Sequence, residues 1–245
     1  LNAADGNVAE AVARNTYDAV DHWAPIAGHY VRSFEADVQA VAVDDLGLAG
    51  TRATVRTPAG TVAISSHLPG RAHLQNLLAA VAAGHVFDVP VEEVAERLDT
   101  VRAVAHRGEI RHLGRDVVLF DDSYNSSPSA LLASLAVVGG DRSGRRRVAF
   151  LGEMLELGDG SEMLHRECGR AAASAGISAL VTVGGPPARA LGEAAVASGV
   201  AADGVRHVND SERAAGLVPG VVRTGDLVLV KGSHGIQMER VVERL

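Results

Sequence analysis

The chain has 245 residues, which suits one large domain or two ordinary ones, and its hydrophobic fraction of 47% is sufficient for a buried core. Its formal net charge of -7 argues against a nucleic-acid-binding protein, which would present basic residues to the phosphates. The single cysteine, Cys168, excludes an internal disulfide, and no apolar run of about 18 residues indicates a membrane span. These features suit a cytoplasmic protein.

The first region of the chain, residues 1–108, is predicted to mix helices and strands. It begins with Leu1 rather than methionine, which we interpret as the start of a fragment, and residues 7–14 have helical character. Three runs have strand character, at residues 36–43, 51–57 and 61–66. Two helices are predicted to follow them, over residues 71–84 and 91–100.

The second region, residues 109–245, alternates between apolar runs and helical stretches. Strands are predicted at residues 117–120, 147–151, 179–183, 205–208 and 227–230. Helices are predicted at residues 129–138, 161–175, 188–197, 211–217 and 236–244. This alternation predicts an α/β domain with a doubly wound, mainly parallel sheet.

Ligands of such sheets bind beyond the carboxyl ends of the strands. In this sequence the segments that follow the predicted strands are polar or rich in glycine. They are residues 121–125, 152–154, 184–185, 209–210 and 231–234. We therefore expect the functional site at this edge of the sheet.

The loop from Asp121 to Pro128 follows the first strand of the second region. Ser126 or Ser127 before Pro128 is typical of a capped helix start, which explains the serines. Capping does not explain Asp121 and Asp122. A carboxylate at a strand end can accept hydrogen bonds from a ribose diol, so nucleotide binding is a second interpretation of this loop. Both interpretations stay open from the residues alone.

Lys231 is the only lysine in the chain and comes directly after an apolar strand. Gly232 beside it allows a close backbone approach, and a helix start near residue 236 would add N–H donors for an anion. The alternative is a surface lysine next to a turn. Similarly, His73 and Asn76 share one face of a helix start, either as ligand contacts or as the polar edge of a buried helix.

No metal site is predicted from the sequence. The run at residues 152–158 and the following His165 match no common metal-ligand spacing. The chain also contains neither a G-x-x-x-x-G-K-[ST] phosphate loop nor a G-x-G-x-x-G fingerprint.

Four segments, in this order, resemble motifs of the Mur ligases. They are residues 68–76, Asp121-Asp122-Ser123-Tyr124-Asn125-Ser126-Ser127-Pro128, residues 152–158 and residues 229–233. Asn2-Ala3-Ala4-Asp5 is similar to a further turn of the family. The G-E-M-L-E-L-G run and the D-D-S-Y-N loop favour the family member that adds D-alanyl-D-alanine to UDP-N-acetylmuramoyl-tripeptide.

The resemblance implies an ATP-dependent enzyme with a substrate domain, a central ATPase domain and a Rossmann-like C-terminal domain. Residues 1–108 would be the C-terminal part of the central domain, and residues 109–245 the C-terminal domain. The phosphate loop and the Mg²⁺ ligands would precede Leu1. A monomer is expected, with UDP-N-acetylmuramoyl-tripeptide and D-alanyl-D-alanine as its partners.

The resemblance also assigns roles to individual residues. Nucleotide contacts would come from His73, Asn76, Arg107 and Asp122. Substrate contacts would come from Tyr124, Asn125 and Ser233, and Lys231 would be the catalytic residue. The sequence departs from the family pattern at Ala72, where a histidine is usual, and at His234, where an arginine often follows.

Two other functions fit the same residues. One is a sibling ligase that adds a different amino acid, or a folylpolyglutamate-type ligase, although the run at residues 152–158 argues against it. The other is a non-catalytic α/β binding or interaction module, which would explain why the chain has no phosphate loop.

Overall fold

The structure is a computed structural model that describes residues 37–245, and the chain divides into two compact units, residues 1–102 and 103–245. The predicted helix at residues 7–14 and the turn at residues 2–5 lie outside the described residues. Within the described residues, no helix is long and apolar enough to cross a membrane.

The first unit contains an antiparallel sheet and two helices. The sheet has the order β1-β2-β3, from β1 (Gln39–Asp45), β2 (Thr51–Thr57) and β3 (Gly60–Ser66). Alternate residues of β2 are buried, and they pack with apolar side chains of α1 (Arg71–Val86), which α2 (Val91–Thr100) follows in the chain. The three predicted strands and two predicted helices are confirmed to within a few residues.

The second unit is built on a six-stranded sheet of order β4-β5-β9-β6-β7-β8. The strands are β4 (Glu109–His112), β5 (Val118–Asp122), β6 (Arg147–Gly152), β7 (Ile177–Val183), β8 (Val205–Val208) and β9 (Leu227–Lys231). All neighbours pair in parallel except β4 and β5, which are antiparallel. The predicted α/β fold with a mainly parallel sheet is therefore confirmed.

Five helices of the second unit connect or follow these strands. They are α3 (Pro128–Gly140), α4 (Ser161–Ser174), α5 (Pro186–Ala197), α6 (Ser211–Val221) and α7 (Glu239–Arg244). The central strands are almost completely buried, because a parallel sheet in an α/β fold is covered on both faces. Valine, leucine and alanine form most of this core, as the low aromatic fraction of 3% requires.

Two elements of the second unit differ from the sequence prediction. The edge strand β4 was missed, because Glu109-Ile110-Arg111-His112 has a single apolar residue and gives no apolar run. The helix predicted from residue 236 begins at Glu239 instead. Gln237 has a φ of 58°, in the left-handed region, and this breaks the helix after a short turn at His234–Ile236.

The strand order reverses between β6 and β9, because the chain runs outward from β6 through β7 and β8 and then returns to β9 on the other side of β6. The carboxyl ends of β6 and β9 approach closely there. A Cβ atom on Gly152 would lie 3.1 Å from the Cα of Gly232, and one on Gly232 would lie 2.6 Å from the Cγ of Met238. Only glycines fit at these two positions, which mark the point where sheets of this kind bind ligands.

Candidate functional site

A buried ion pair joins the carboxyl ends of β5 and β9. Asp122 and Lys231 are direct neighbours in the parallel register, and the lysine side chain is 3% exposed. Its Nζ donates to Asp122 Oδ2 at 2.6 Å and to the carbonyl of Asn125 at 2.9 Å. Ser134 of α3 donates its hydroxyl to the same carboxylate oxygen at 2.7 Å. These short, charge-assisted bonds fix the ammonium group at the sheet edge.

The pair keeps unused hydrogen-bonding capacity. Within the described residues, Lys231 Nζ uses two of its three donors, and Asp122 Oδ1 accepts no hydrogen bond. The Asp122 side chain is 21% exposed, so the free oxygen belongs to a carboxylate that solvent reaches. The arrangement can therefore offer one acceptor and one cationic donor to a ligand.

The loop between β5 and α3 divides its serines between two roles. Ser127 is the helix cap, because its Oγ accepts the backbone N–H of Ala130 at 3.3 Å, with Pro128 in the first turn. Ser126 is different: its Oγ is buried and has no hydrogen-bond partner among the described residues. The capping interpretation is thus confirmed for Ser127 alone.

Ser233 ties the end of β9 to the segment after β6. Its backbone N–H donates to the carbonyl of Glu153 at 3.2 Å, and its Oγ accepts the N–H of Leu155 at 2.9 Å. The side chain is 6% exposed, and its hydroxyl faces the carbonyl of Ser126 at 3.5 Å. Ser233 therefore supports the shape of the edge, and its predicted substrate contact stays a prediction.

Asp121 projects from the face of β5 opposite to Asp122, because successive strand residues alternate. It is completely buried. Its Oδ1 accepts the hydroxyl of Ser123 at 2.7 Å and the Ser123 N–H at 3.2 Å. Its Oδ2 lies 2.9 Å from His106 Nδ1, which must donate because a carboxylate only accepts.

Sequence reasoning named neither His106 nor Ser134 as a site residue and gave Asp121 no role of its own. The sequence does contain a signal for the bonds of Asp121 to Ser123, because an aspartate often accepts a hydrogen bond from the residue two positions later in a turn. The contact with His106 spans 15 residues and has no local sequence pattern.

A stack of three side chains lies at the same edge of the sheet. The guanidinium carbon of Arg107 is 3.9 Å from the ring centroid of Tyr124, a cation–π contact. The Tyr124 and His234 rings have centroids 5.1 Å apart with planes inclined at 31°. Tyr124, two residues after Asp122 in the chain, remains 38% exposed, so the stack presents an aromatic and cationic surface.

The residues considered for metal binding have structural partners. His165 is fully buried, with Nδ1 2.7 Å from the carbonyl of Ser161 and Nε2 2.9 Å from the N–H of Met154. The Glu153 carboxylate accepts the N–H of Gly185 at the start of α5. Across residues 37–245, no group of three His, Cys, Asp or Glu side chains could hold a metal ion.

The eight predicted site residues fall into both units. His73 and Asn76 lie in the first two turns of α1, where His73 is half-buried and Asn76 is exposed. The other six are all in the second unit, and the contacts above bring them to one edge of its sheet. Those six are Arg107, Asp122, Tyr124, Asn125, Lys231 and Ser233. The nucleotide and substrate roles of all eight remain predictions.

Comparison with known proteins gives consistent matches. Residues 106–234 match the family model described as Mur ligase, glutamate ligase domain. The chain is 33% identical over 222 residues to the UDP-N-acetylmuramoyl-tripeptide–D-alanyl-D-alanine ligase of Mycobacterium leprae, covering 84% of this chain and 43% of that protein. It is 33% identical over 198 residues to the Escherichia coli ligase of the same name, covering 80% and 42%.

Solved structures share the fold. A crystal structure of MurF from Acinetobacter baumannii matches with a TM-score of 0.75 and 24% identity, covering 86% of this chain and 45% of that chain. MurF from Thermotoga maritima, solved in complex with ADP, matches with a TM-score of 0.69 and 23% identity over 85% and 45%. The chain thus spans less than half the length of the proteins it matches.

Proposed function

The chain belongs to the Mur ligase family, and on that premise we propose that it forms the C-terminal half of an ATP-dependent ligase of peptidoglycan synthesis. The enzyme joins D-alanyl-D-alanine to UDP-N-acetylmuramoyl-tripeptide, which is the reaction in the names of its relatives. It acts as a monomer in the cytoplasm. Residues 1–108 form the end of the ATP-binding central domain, and residues 109–245 form the C-terminal domain.

The observation that carries this proposal is the Lys231–Asp122 pair at the carboxyl edge of the sheet. It lies beside the reversal of strand order, where ligands of doubly wound sheets bind, and it keeps a free acceptor and a free cationic donor. A buried pair that served only stability would be expected to use its hydrogen-bonding capacity fully.

The reaction proceeds in two steps. ATP phosphorylates the terminal carboxylate of the tripeptide, and the dipeptide amine then attacks the acyl phosphate, loses a proton and displaces inorganic phosphate. The protein has little covalent chemistry to perform in either step. It positions the reactants and neutralises charge at the transferring phosphoryl group.

Each of the eight predicted site residues has a role in this reaction. Asp122 accepts hydrogen bonds from the ribose hydroxyls through its free Oδ1, and Arg107 faces the ribose and phosphates. The Lys231 ammonium stabilises negative charge on the substrate side, and Tyr124, Asn125 and Ser233 line that side. His73 and Asn76 contact the adenine. Mg²⁺ offsets phosphate charge and is held by residues upstream of Leu1.

The test uses the complete protein in which this chain is preceded by its upstream domains. Phosphate release from ATP should require both UDP-N-acetylmuramoyl-tripeptide and D-alanyl-D-alanine, and the product should contain the dipeptide. No turnover with both substrates present would contradict the proposal. A panel of single amino acids as acceptors, glutamate among them, tests the alternative. Turnover with one of them in place of the dipeptide would identify a sibling activity.

The 245-residue chain alone supplies a second test. It contains no phosphate-loop pattern, so it should release no phosphate from ATP under the same conditions. ATP turnover by the purified chain, retained through several purification steps, would contradict the assignment of the phosphate loop to an upstream segment.

A further inference from the structure

We propose that His106 is a positioning residue that anchors the Arg107-bearing segment to the end of β5, next to Asp122. The inference rests on the proposed function, because it concerns the orientation of Arg107 and Asp122, which are assigned to the nucleotide. His106 itself is assigned no contact with the substrates. Its imidazole bonds to Asp121 in β5, and its backbone carbonyl accepts the N–H of Tyr124 in the loop after β5.

The first observation is the dependence of Asp121 on the imidazole. This carboxylate has no exposure to solvent, and a buried carboxylate is costly unless its oxygens accept hydrogen bonds. Ser123 satisfies Oδ1, and His106 is the hydrogen-bond donor to Oδ2. Arg111 is farther away, with Nη1 3.9 Å from Oδ2. Loss of the imidazole would leave Oδ2 without its hydrogen bond.

The second observation is the backbone conformation of His106. Its φ is 65°, in the left-handed region that residues other than glycine adopt uncommonly, with asparagine, aspartate and histidine the more frequent exceptions. Such a conformation persists where surrounding contacts hold it in place. Here the contacts are the Asp121 carboxylate, the Ser123 hydroxyl at 3.3 Å from Nδ1, and the N–H of Tyr124, which donates to the His106 carbonyl at 3.0 Å.

The third observation is the residue that comes next. Arg107 donates its backbone N–H to the carbonyl of Val104 at 3.0 Å and lays its guanidinium over Tyr124. The turn that carries Arg107 is therefore attached to Asp121 and to Tyr124, on either side of the strand end from which Asp122 projects. A change at His106 would displace Arg107 and Asp122 together.

Three substitutions in the complete ligase test this role. In H106N, the amide N–H reaches the position of Nδ1, and asparagine tolerates a left-handed backbone. In H106Q, the amide lies one carbon farther along, near the position of Nε2. In H106A, no donor remains. The exposed His112, on β4, provides a matched control as H112N.

We expect H106A and H106Q to raise the KM for ATP by about tenfold or more, because small misplacements of binding groups have effects of this size. The effect on kcat should be smaller. H106N should stay within about threefold of the natural protein, and H112N should be unchanged. An H106N variant as impaired as H106A would overturn the proposal, since the imidazole would then do something an amide cannot, such as proton transfer. An unchanged KM in H106A would also overturn it.

A second measurement separates this inference from the proposed function. Hydrogen exchange of the 245-residue chain reports on the loop after β5 without any enzyme activity. H106A should speed exchange at the N–H groups of Ser123 and Tyr124, and H106N should not. The comparison requires that the variants and the natural chain have equal melting temperatures. If the complete ligase shows no turnover, the proposed function fails while this result still stands. Equal exchange in H106A and the natural chain would overturn the positioning role.

Discussion

Two carboxylate–cation pairs lie on the six-stranded sheet, one where its strands begin (the amino edge) and one where they end (the carboxyl edge). Their hydrogen bonds differ. At the amino edge, Asp226 precedes β9 and is almost completely buried, and Arg146 precedes β6. Arg146 binds both carboxylate oxygens, with Nε 3.0 Å from Oδ1 and Nη2 2.6 Å from Oδ2. The N–H of Arg223 adds a third bond at 2.7 Å, and Arg146 also donates to the carbonyl of Val221 at 2.7 Å.

At the carboxyl edge, the Lys231–Asp122 pair is bonded through a single carboxylate oxygen, and the other oxygen accepts nothing among the described residues. The fork of an arginine fills both oxygens of its partner, whereas a lysine provides a point charge with three donors. In the amino-edge pair, both carboxylate oxygens already accept hydrogen bonds from the protein, and Asp226 is only 1% exposed. The difference indicates that one pair holds strands together while the other is available for binding.

The largest expected effect is the loss of folding stability of the chain when the amino-edge pair is broken. R146M should lower the free energy of unfolding of the chain by about 3–5 kcal/mol, because it leaves the buried Asp226 carboxylate without its cation. Urea unfolding of the 245-residue chain measures the change. A loss below about 1 kcal/mol would contradict the structural role.

The double variant R146M/D226L is the control for that prediction. Replacing both partners removes the uncompensated charge, so a large part of the lost stability should return. A double variant as unstable as R146M would mean that packing of the arginine stem, rather than the charge on Asp226, causes the loss.

The next effect is on catalysis at the carboxyl edge. K231M should lower kcat of the complete ligase by about 100-fold or more, which is the usual effect of removing one group that stabilises developing charge. R166M is a matched control, because Arg166 forms surface ion pairs with Glu162 and Glu193 away from this edge. A K231M variant with near-normal turnover would remove Lys231 from the catalytic role.

A smaller effect is expected for Asp122. D122N should raise the KM for ATP by about tenfold, because a hydrogen bond to a charged acceptor contributes roughly 1.5–3 kcal/mol. D116N is the control, since Asp116 is an exposed carboxylate whose pKa is lowered by its hydrogen bond to Arg145. Equal ATP affinity in D122N and the natural protein would show that the free Oδ1 holds no ribose.

The smallest effect lies outside both pairs and concerns pH. Burial lowers the pKa of His207, with a further contribution from Arg189, and its Nδ1 is 3.0 Å from the hydroxyl of Thr182. Well above the ordinary histidine pKa of about 6.5, the ring is neutral in both folded and unfolded chains, so its titration has no effect on stability. As the pH falls below that value, the unfolded chain takes up a proton more readily, and the folded state is destabilised.

H207Q removes this titration, so its stability should depend less on pH than that of the natural chain between about pH 6.5 and 5. Urea midpoints at several pH values within that range, with H112Q as an exposed control, measure the difference. Parallel pH dependences for H207Q and the natural chain would contradict a lowered pKa of His207 in the folded chain.

Most of the fold could be predicted because the central strands are continuous apolar runs between polar turns. The pairing of Asp122 with Lys231 spans 109 residues, yet both residues follow predicted strands, and the carboxyl ends of parallel strands lie at one edge of the sheet. The contact between Arg146 and Asp226 spans 80 residues and was not predicted, because both residues precede strands and no sequence rule places ligands or pairs at the amino ends.

Other features could not be read from local sequence. The short strand β4 pairs at the sheet edge and is too polar for a periodic pattern. The delayed start of α7 depends on the left-handed backbone of Gln237, a residue with no particular preference for that conformation. His106 lies in a segment without any motif, and only the folded chain brings it to Asp121.

The glycine contact between β6 and β9 makes Met238 and α7 part of the support of the site. Met238 is fully buried directly against Gly152 and Gly232, and Val241 and Val242 of α7 are buried in the same core. An M238A substitution would change no residue to which a ligand is assigned, yet it would remove the side chain packed against the two strand ends. The cavity left there should loosen the ends of β6 and β9, so a residue that touches no ligand can still govern the geometry of the site.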